Sequence, residues 1–238
     1  MNLKNKTAVI TGATGGIGSV LSVKLAQKGV KLILLSRTES KLKDLIDRLD
    51  GDGHEYIQMD ATKTQKVKET AEKILGLTEK IDILVNAAGV GVYKSLEDAG
   101  INEWEDSVAI NVTTPFYLTK ELLPHLKKSE DSVVINVGSG MGKIPTPCRS
   151  VYCATKYALR GMTLSLAAEY HGSNIHFVHI DLGSTLTDFG PLSLEDKIEE
   201  NLRGKSYFTP SWVADKFIAI IEKDEYEAEI TLYPSDYK

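Results

Sequence analysis

The chain has 238 residues, 42% hydrophobic and 26% charged, with a formal net charge of −5. That apolar share excludes a disordered chain, no run of eighteen apolar residues exists to cross a bilayer, and the negative charge disfavours nucleic acid as a partner. Two cysteines, Cys148 and Cys153, supply neither a disulfide framework nor a four-ligand zinc site, so no metal is expected.

The apolar run after Met1 to Lys6 is too short for a signal-peptide core, which makes a cytoplasmic protein the expectation. Thr7 to Thr11 reads as the first strand and leads straight into Thr11-Gly12-Ala13-Thr14-Gly15-Gly16-Ile17-Gly18. Val20, Leu21, Leu25 and Ala26 then recur at helical spacing. Glycines at 12, 16 and 18 permit a tight turn, approach of a pyrophosphate to bare backbone, and close helix–sheet packing. The helix start adds unpaired N–H groups and partial positive charge, so this strand–turn–helix reads as a dinucleotide phosphate site.

The second strand, Lys31 to Ser36, ends in Leu35-Ser36-Arg37-Thr38. A ribose with a free 2′-hydroxyl calls for a carboxylate about twenty residues after the glycines. None is present here, and Arg37 can pair with a 2′-phosphate, so NADP(H) is expected over NAD(H); the competing reading is a solvated arginine paired with Glu39. Leu42, Leu45, Ile46 and Leu49 mark a helix, Tyr56 to Met59 a strand, Val67, Ala71, Ile74 and Leu75 a helix, and Ile81 to Val85 the fourth strand. A long helical stretch covers 102–127. Pro115 within it denies the carbonyl of Asn111 its i+4 partner, which predicts a kink and a carbonyl free to hold water.

Val133 to Val137 and Ile175 to Ile180 are the fifth and sixth strands, and Ala228 to Tyr233, stopped by Pro234, reads as an edge strand. Helices between strands require right-handed crossovers, hence a doubly wound α/β sheet of seven mostly parallel strands with helices on both faces, one domain over 1–238. Irregular residues 182–210, around a short amphipathic piece marked by Leu194, Ile198 and Leu202 at the carboxyl end of the sixth strand, read as a substrate lid rather than an ordinary surface connection. In the helix at 150–170, Tyr152 and Lys156 lie four apart and so share a face; the ammonium is expected to lower the phenol's pKa toward a working acid/base. Ser139, just after the fifth strand, falls at the same end of the sheet, where its hydroxyl could steady a substrate oxygen.

These residues together resemble the short-chain dehydrogenase/reductase family, and within it the NADP(H)-preferring members similar to 3-oxoacyl-carrier-protein reductases. The resemblance runs through the Thr11 to Gly18 turn, Asp60, Asn86-Ala87-Ala88-Gly89, Asn111, Ser139, Tyr152 and Lys156. It implies a single-domain Rossmann fold in which Gly12, Thr14, Gly15, Gly16, Ile17 and Gly18 cradle the cofactor. Asp60 and Ala61 would touch the adenine, and Asn86, Ala87, Ala88 and Gly89 would line the cofactor. Tyr152 would be the acid/base, Ser139 would orient the carbonyl, Lys156 would hold the nicotinamide ribose, and Asn111 would anchor a relay water. Gly183 and Thr187 match the segment that holds the carboxamide. Two departures stand out: Leu182 where the family usually has proline, and Thr14 and Gly15 where NADP-preferring members often carry a basic residue.

The expectation is an NADP(H)-dependent oxidoreductase interconverting a small-molecule carbonyl and alcohol. The alternatives are an NAD(H)-dependent relative and a non-catalytic dinucleotide sensor or scaffold, which would have no use for the catalytic four in register. A homodimer or homotetramer is expected through helices 102–127 and 150–170, with Ala154, Ala158 and Gly161 allowing close approach unless they pack on the chain's own sheet. Cys153 reads as a buried packing residue, Cys148 as a loop residue near the substrate entrance, and Trp104 and Trp212 as packing anchors. The five histidines show no metal-ligand spacing.

Overall fold

Alternate residues along each strand go to opposite layers of core. Ala8 and Ile10 of β1 (Thr7–Thr11) join Leu21, Leu25, Leu42, Val213 and Phe217 on one face, while Val9 joins Val67, Ile74, Leu118 and Leu122 on the other. The same two-residue alternation holds in β2 (Lys31–Ser36) and β5 (Ser132–Val137), so both faces of the sheet are covered. The computed structural model describes residues 1–234; the last four residues of the expected 1–238 domain lie outside the described residues.

With β3 (Glu55–Gln58), β4 (Ile83–Asn86), β6 (Ile175–Leu182) and β7 (Glu229–Leu232), the strands form one sheet in the order β3-β2-β1-β4-β5-β6-β7. Every neighbouring pair is parallel. This is the expected doubly wound fold, and the strand order reverses between β1 and β4, where open sheets of this kind leave a crevice. Helices α1 (Gly16–Gln27), α2 (Glu39–Ile46) and α8 (Pro210–Ile221) contribute to one layer. Helices α3 (Thr64–Leu77), α5 (Thr114–Leu126) and α6 (Ser150–Glu169) contribute to the other.

Several expected boundaries move, each for a local reason. The fourth strand starts at Ile83 rather than Ile81, because the Ile81 N–H donates to the His125 carbonyl and Asp82 serves as a hub. Its buried carboxylate takes the Thr7 N–H at 2.9 Å, the Ser129 hydroxyl at 2.6 Å and the Lys6 ammonium at 3.1 Å. The sixth strand runs two residues past Ile180: with Leu182 in place of a proline, pairing continues to Leu182 opposite Leu232. The long helix at 102–127 is divided into α4 (Ile101–Val108), a π-helical turn at Ala109–Thr113, and α5. Pro115 has no N–H for the Asn111 carbonyl, and the Thr114 N–H instead reaches five residues back to Ala109, so the expected kink takes the form of a π-turn.

The lid, expected to be irregular, is largely built. Thr185 and Phe208 pair as an isolated parallel bridge that closes its base, and α7 (Leu194–Leu202) is capped by the reciprocal Ser193–Asp196 box. Trp212 packs as expected, stacked on Phe208 at 4.3 Å. Trp104 does not: it sits on the outward side of α4 with 45% of its surface exposed, because the buried stripe of that short helix passes through Ser107 instead.

Candidate active site

The glycine turn lies over the crevice between β1 and β4. Gly12 has φ +66°, and a Cβ there would come within 2.8 Å of the Ala88 nitrogen, so only glycine fits. Gly15 is the N-cap of α1 with no side-chain cap, and no acidic residue occupies the first turn. The leading N–H groups of α1 therefore face the crevice without a side-chain acceptor. Thr14 Oγ1 and Ser36 Oγ, 2.6 Å apart, tie the turn to the end of β2. Arg37 follows, exposed, its carbonyl accepting from Gln58. Lys41 and Arg48 line a small cleft with Thr14, Ser19 and Asp44. The sequence reading missed these two cations; Lys41 lies one helical turn beyond Arg37, which is the signal that could have found it.

Asn86 to Gly89 emerge from β4 and are fastened from both sides. The Ala88 N–H donates to Thr11 Oγ1 at 3.0 Å. Asn111 grips Val90 at two points, accepting its N–H at 2.9 Å and donating to its carbonyl at 2.8 Å, and donates also to Thr155 at 3.0 Å. The Asn111 side chain is thus a fastener, engaged by protein groups on both of its polar atoms. Asn86 donates to Asn136 at 2.8 Å, while its Oδ1 is buried without a partner among the described residues. Asp60 is exposed at the crevice rim; Thr62 donates to it from backbone and side chain, holding its carboxyl below the usual range. The neighbouring Ala61 carbonyl accepts from Thr114.

Ser139 follows β5 directly, caps a single 3-10 turn at Gly140–Gly142, and accepts the Met141 N–H at 3.3 Å. Tyr152 and Lys156, in the first two turns of α6, are both buried. The Tyr152 ring lies between Tyr93, at 5.6 Å, and Phe189, at 6.0 Å. Lys156 Nζ stands 5.6 Å from the Tyr152 ring centre and donates to the Val137 carbonyl at 2.8 Å. Gly89 closes the group: a Cβ on it would lie 3.4 Å from Asn111 Oδ1, 3.9 Å from Lys156 Nζ and 3.9 Å from the Phe189 ring. Asn111, Tyr152, Lys156 and Gly89, drawn from separate segments, therefore meet in one place, with Ser139 at the phenol.

The electrostatics correct one expectation. Burial pushes the Tyr152 phenol up rather than down, with Tyr93 adding to the shift; the Ser139 hydroxyl and the Arg149 charge oppose it without prevailing. Burial also lowers Lys156, to about 8. The physical reason is that Tyr93 and Phe189 wall the phenol from water, and the ammonium is engaged with the Val137 carbonyl.

Across the crevice, the Thr187 side chain rests on the bare Cα of Gly16, where a Cβ would collide with it. Thr187 and Phe189 are held by Lys197 of α7, a buried ammonium that donates to both of their carbonyls, to Thr187 at 2.7 Å. Gly183 lies farther back, its N–H on the Leu232 carbonyl and its Cα against the Pro234 ring. Tyr93, Phe189 and Lys197 escaped the sequence reading because none falls in a spaced motif; an isolated lysine on the amphipathic α7 was the sole available signal.

The short chain dehydrogenase family model matches residues 6–197. The chain belongs to that family. This short-chain dehydrogenase is 30% identical over 226 residues to the 3-oxoacyl-[acyl-carrier-protein] reductase FabG of Buchnera aphidicola, covering 94% of this chain and 92% of the relative. Among solved structures it resembles a serine dehydrogenase complexed with NADP+, with TM-score 0.84, 26% identity, and coverage of 95% and 94% of the two chains. It also resembles the 3-ketoacyl-(acyl-carrier-protein) reductase of Brucella melitensis complexed with NADH, with TM-score 0.86, 25% identity and 98% of both chains covered. As a short-chain dehydrogenase it is an oxidoreductase. Among the described residues, no helix is long and apolar enough to cross a membrane.

Proposed function

We propose that this short-chain dehydrogenase interconverts a small-molecule carbonyl and its alcohol with NADP(H), and that Tyr152 exchanges the proton of the reacting oxygen. The observation carrying this reading is the convergence of Ser139, Tyr152, Lys156 and Asn111 at the carboxyl end of the sheet, beside the reversal of strand order. A sensor or scaffold would not require an acid/base phenol buried next to a hydroxyl and an ammonium.

The crevice fits a dinucleotide on two counts: the uncapped amino end of α1 and the unpartnered Asn86 Oδ1. When bound, the nicotinamide supplies or accepts the hydride. The N–H groups of Gly16, Ile17 and Gly18 would hold the pyrophosphate, with Gly15, its own N–H on the Gly12 carbonyl, shaping the turn, Gly12 letting it close against Ala87 and Ala88, and Thr14 at the ribose side. Asp60 and Ala61 would meet the adenine; Asn86, Ala87, Ala88 and Gly89 would line the far wall. Lys156 would hold the nicotinamide ribose, and Gly183 and Thr187 would border the carboxamide. NADP(H) is favoured because Ser36 and Arg37, rather than a carboxylate, stand at the end of β2, and Lys41 and Arg48 outnumber Asp44 in the cleft beside Thr14. Relatives complexed with NADP+ and with NADH are consistent with either dinucleotide.

Ser139 orients the carbonyl oxygen and Tyr152 delivers or removes its proton. Burial favours the neutral phenol, the form needed to donate in the reduction direction. Tyr152→Phe is expected to lower kcat for carbonyl reduction by ~100-fold or more, with NADPH binding retained in a fluorescence titration. NADPH is expected to bind more tightly than NADH. Native turnover by the Tyr152→Phe protein would sink the role assigned to the phenol, and preference for NADH would sink the assignment of Arg37.

A further inference from the structure

The mouth of the crevice carries a cation that the reaction above does not use. Arg149, half-buried, immediately precedes α6, and its guanidinium carbon lies 5.1 Å from the centre of the Tyr93 ring. Its Nη1 reaches Met141 Sδ at 3.6 Å. Arg160 and Arg203 each hold a glutamate, but no carboxylate of the described residues pairs with Arg149. A ring face and a thioether leave most of the five guanidinium donors unmet.

A second observation points the same way. Helix α6 is 20 residues long, begins at Ser150, and has neither a side-chain cap nor an acidic residue in its first turn. Its leading N–H groups and the guanidinium thus present positive charge on the substrate side of Tyr152. Cys148, just before, is held at φ +58°, a left-handed conformation uncommon outside glycine, so the backbone accepts strain at the residue that sets the entry of Arg149. The Arg149 charge is felt at the site, where it draws the Tyr93 and Tyr152 phenols down against burial.

We propose that Arg149 and the amino end of α6 bind a substrate carboxylate, so that the substrates are short hydroxy acids and the corresponding oxo acids. This rests on the reading of Tyr152 as the acid/base group. Tyr93 is the shared neighbour of both groups, 5.1 Å from the guanidinium carbon and 5.6 Å from the Tyr152 ring, so cation and phenol belong to one cluster, which suits a short substrate. A planar fork matches the two oxygens of a carboxylate. A phosphate dianion would call for further cations, and the neighbouring ones are engaged: Lys143 with Asp181 at 2.6 Å and Glu229 at 3.1 Å, Lys156 with the Val137 carbonyl. In the reduction direction hydride from the reduced nicotinamide would add to the carbonyl carbon while the neutral Tyr152 phenol gives its proton to the carbonyl oxygen and is reprotonated from solvent; the carboxylate is unchanged.

The test compares 3-oxobutyrate and pyruvate with their methyl esters, using NADPH and the wild type, Arg149→Met and Arg149→Lys. The acid is expected to exceed its ester in kcat/KM for the wild type, and that ratio should fall ~10–100-fold in Arg149→Met, the range for a charge-assisted pair. The loss should lie in KM, with Arg149→Lys recovering part of it. Equal use of acid and ester, equal loss of both in Arg149→Met, or turnover of neither overturns the proposal. Tyr152→Phe on any carbonyl the wild type reduces reports separately: if that variant is inactive while acid and ester are used alike, the phenol's role stands and the carboxylate site falls.

Discussion

Lys156 is held where its charge is unwelcome. It is buried, has a single carbonyl acceptor, and its pKa drops from 10.5 to about 8. Because the folded value lies below the unfolded one, the charged form destabilises the fold fully below pH 8. The penalty fades as pH rises from about 8 toward 10.5 and the folded state releases its proton first. The drop corresponds to roughly 3 kcal/mol at neutral pH, partly offset by ~1 kcal/mol for the bond to Val137. Lys156→Met is therefore expected to gain about 1–2 kcal/mol at pH 7 in urea unfolding, to lose most of that gain by pH 10, and to lose turnover. A gain that did not change with pH would contradict this account. The four-residue spacing of Tyr152 and Lys156 was enough to place them on one face of α6. The direction of the phenol's pKa was not legible, because it depends on Tyr93 and Phe189, which come from loops far away in the chain.

The lid shows the same division at the scale of elements. Strand and helix periodicity located nearly every element, and Pro115 announced the break in the 102–127 helix, because a missing N–H is a property of one residue. Within 182–210 the helical piece was legible from Leu194, Ile198 and Leu202, but the closure of the segment was hidden, since it comes from pairing Thr185 with Phe208, twenty-three positions away, and from one buried ammonium. Lys197 binds the carbonyls of Thr187, which rests on Gly16, and of Phe189, which lies against Tyr152, so a single side chain sets both walls of the crevice. Lys197→Met retains the aliphatic stem and removes both bonds. It is expected to raise the KM for dinucleotide and carbonyl substrate about tenfold together, the equivalent of ~1.4 kcal/mol, and to speed amide exchange at 186–190 without altering the far-UV spectrum. Unchanged exchange there would show that the segment is ordered by something other than Lys197.

The outward side of α6 carries a stripe without charged side chains. On α6, Ala154, Tyr157, Ala158, Gly161 and Ser165 are exposed in a continuous stripe, and an added Cβ at Gly161 would meet nothing within 4 Å. These small residues do not pack on the chain's own sheet, which was the competing reading of them. On the adjacent α4 and α5, Ile101 is 73% exposed and Trp104 and Phe116 are each 45% exposed. Apolar side chains of this size left in water beside a helix bare enough for close approach favour a second copy over solvent. A two-fold pairing through this face would bury the stripe against itself. We propose that the chain associates through this face into a dimer or tetramer. Sedimentation of the wild type is expected to give a mass of two or four chains, and Ala158→Arg, which places a cation at the centre of the stripe, is expected to halve that mass with an unchanged far-UV spectrum. A wild-type monomer at micromolar concentration, or an Ala158→Arg protein that keeps the wild-type mass, would assign the apolar face to some other contact and leave the exposure of Ile101 and Trp104 to be explained afresh.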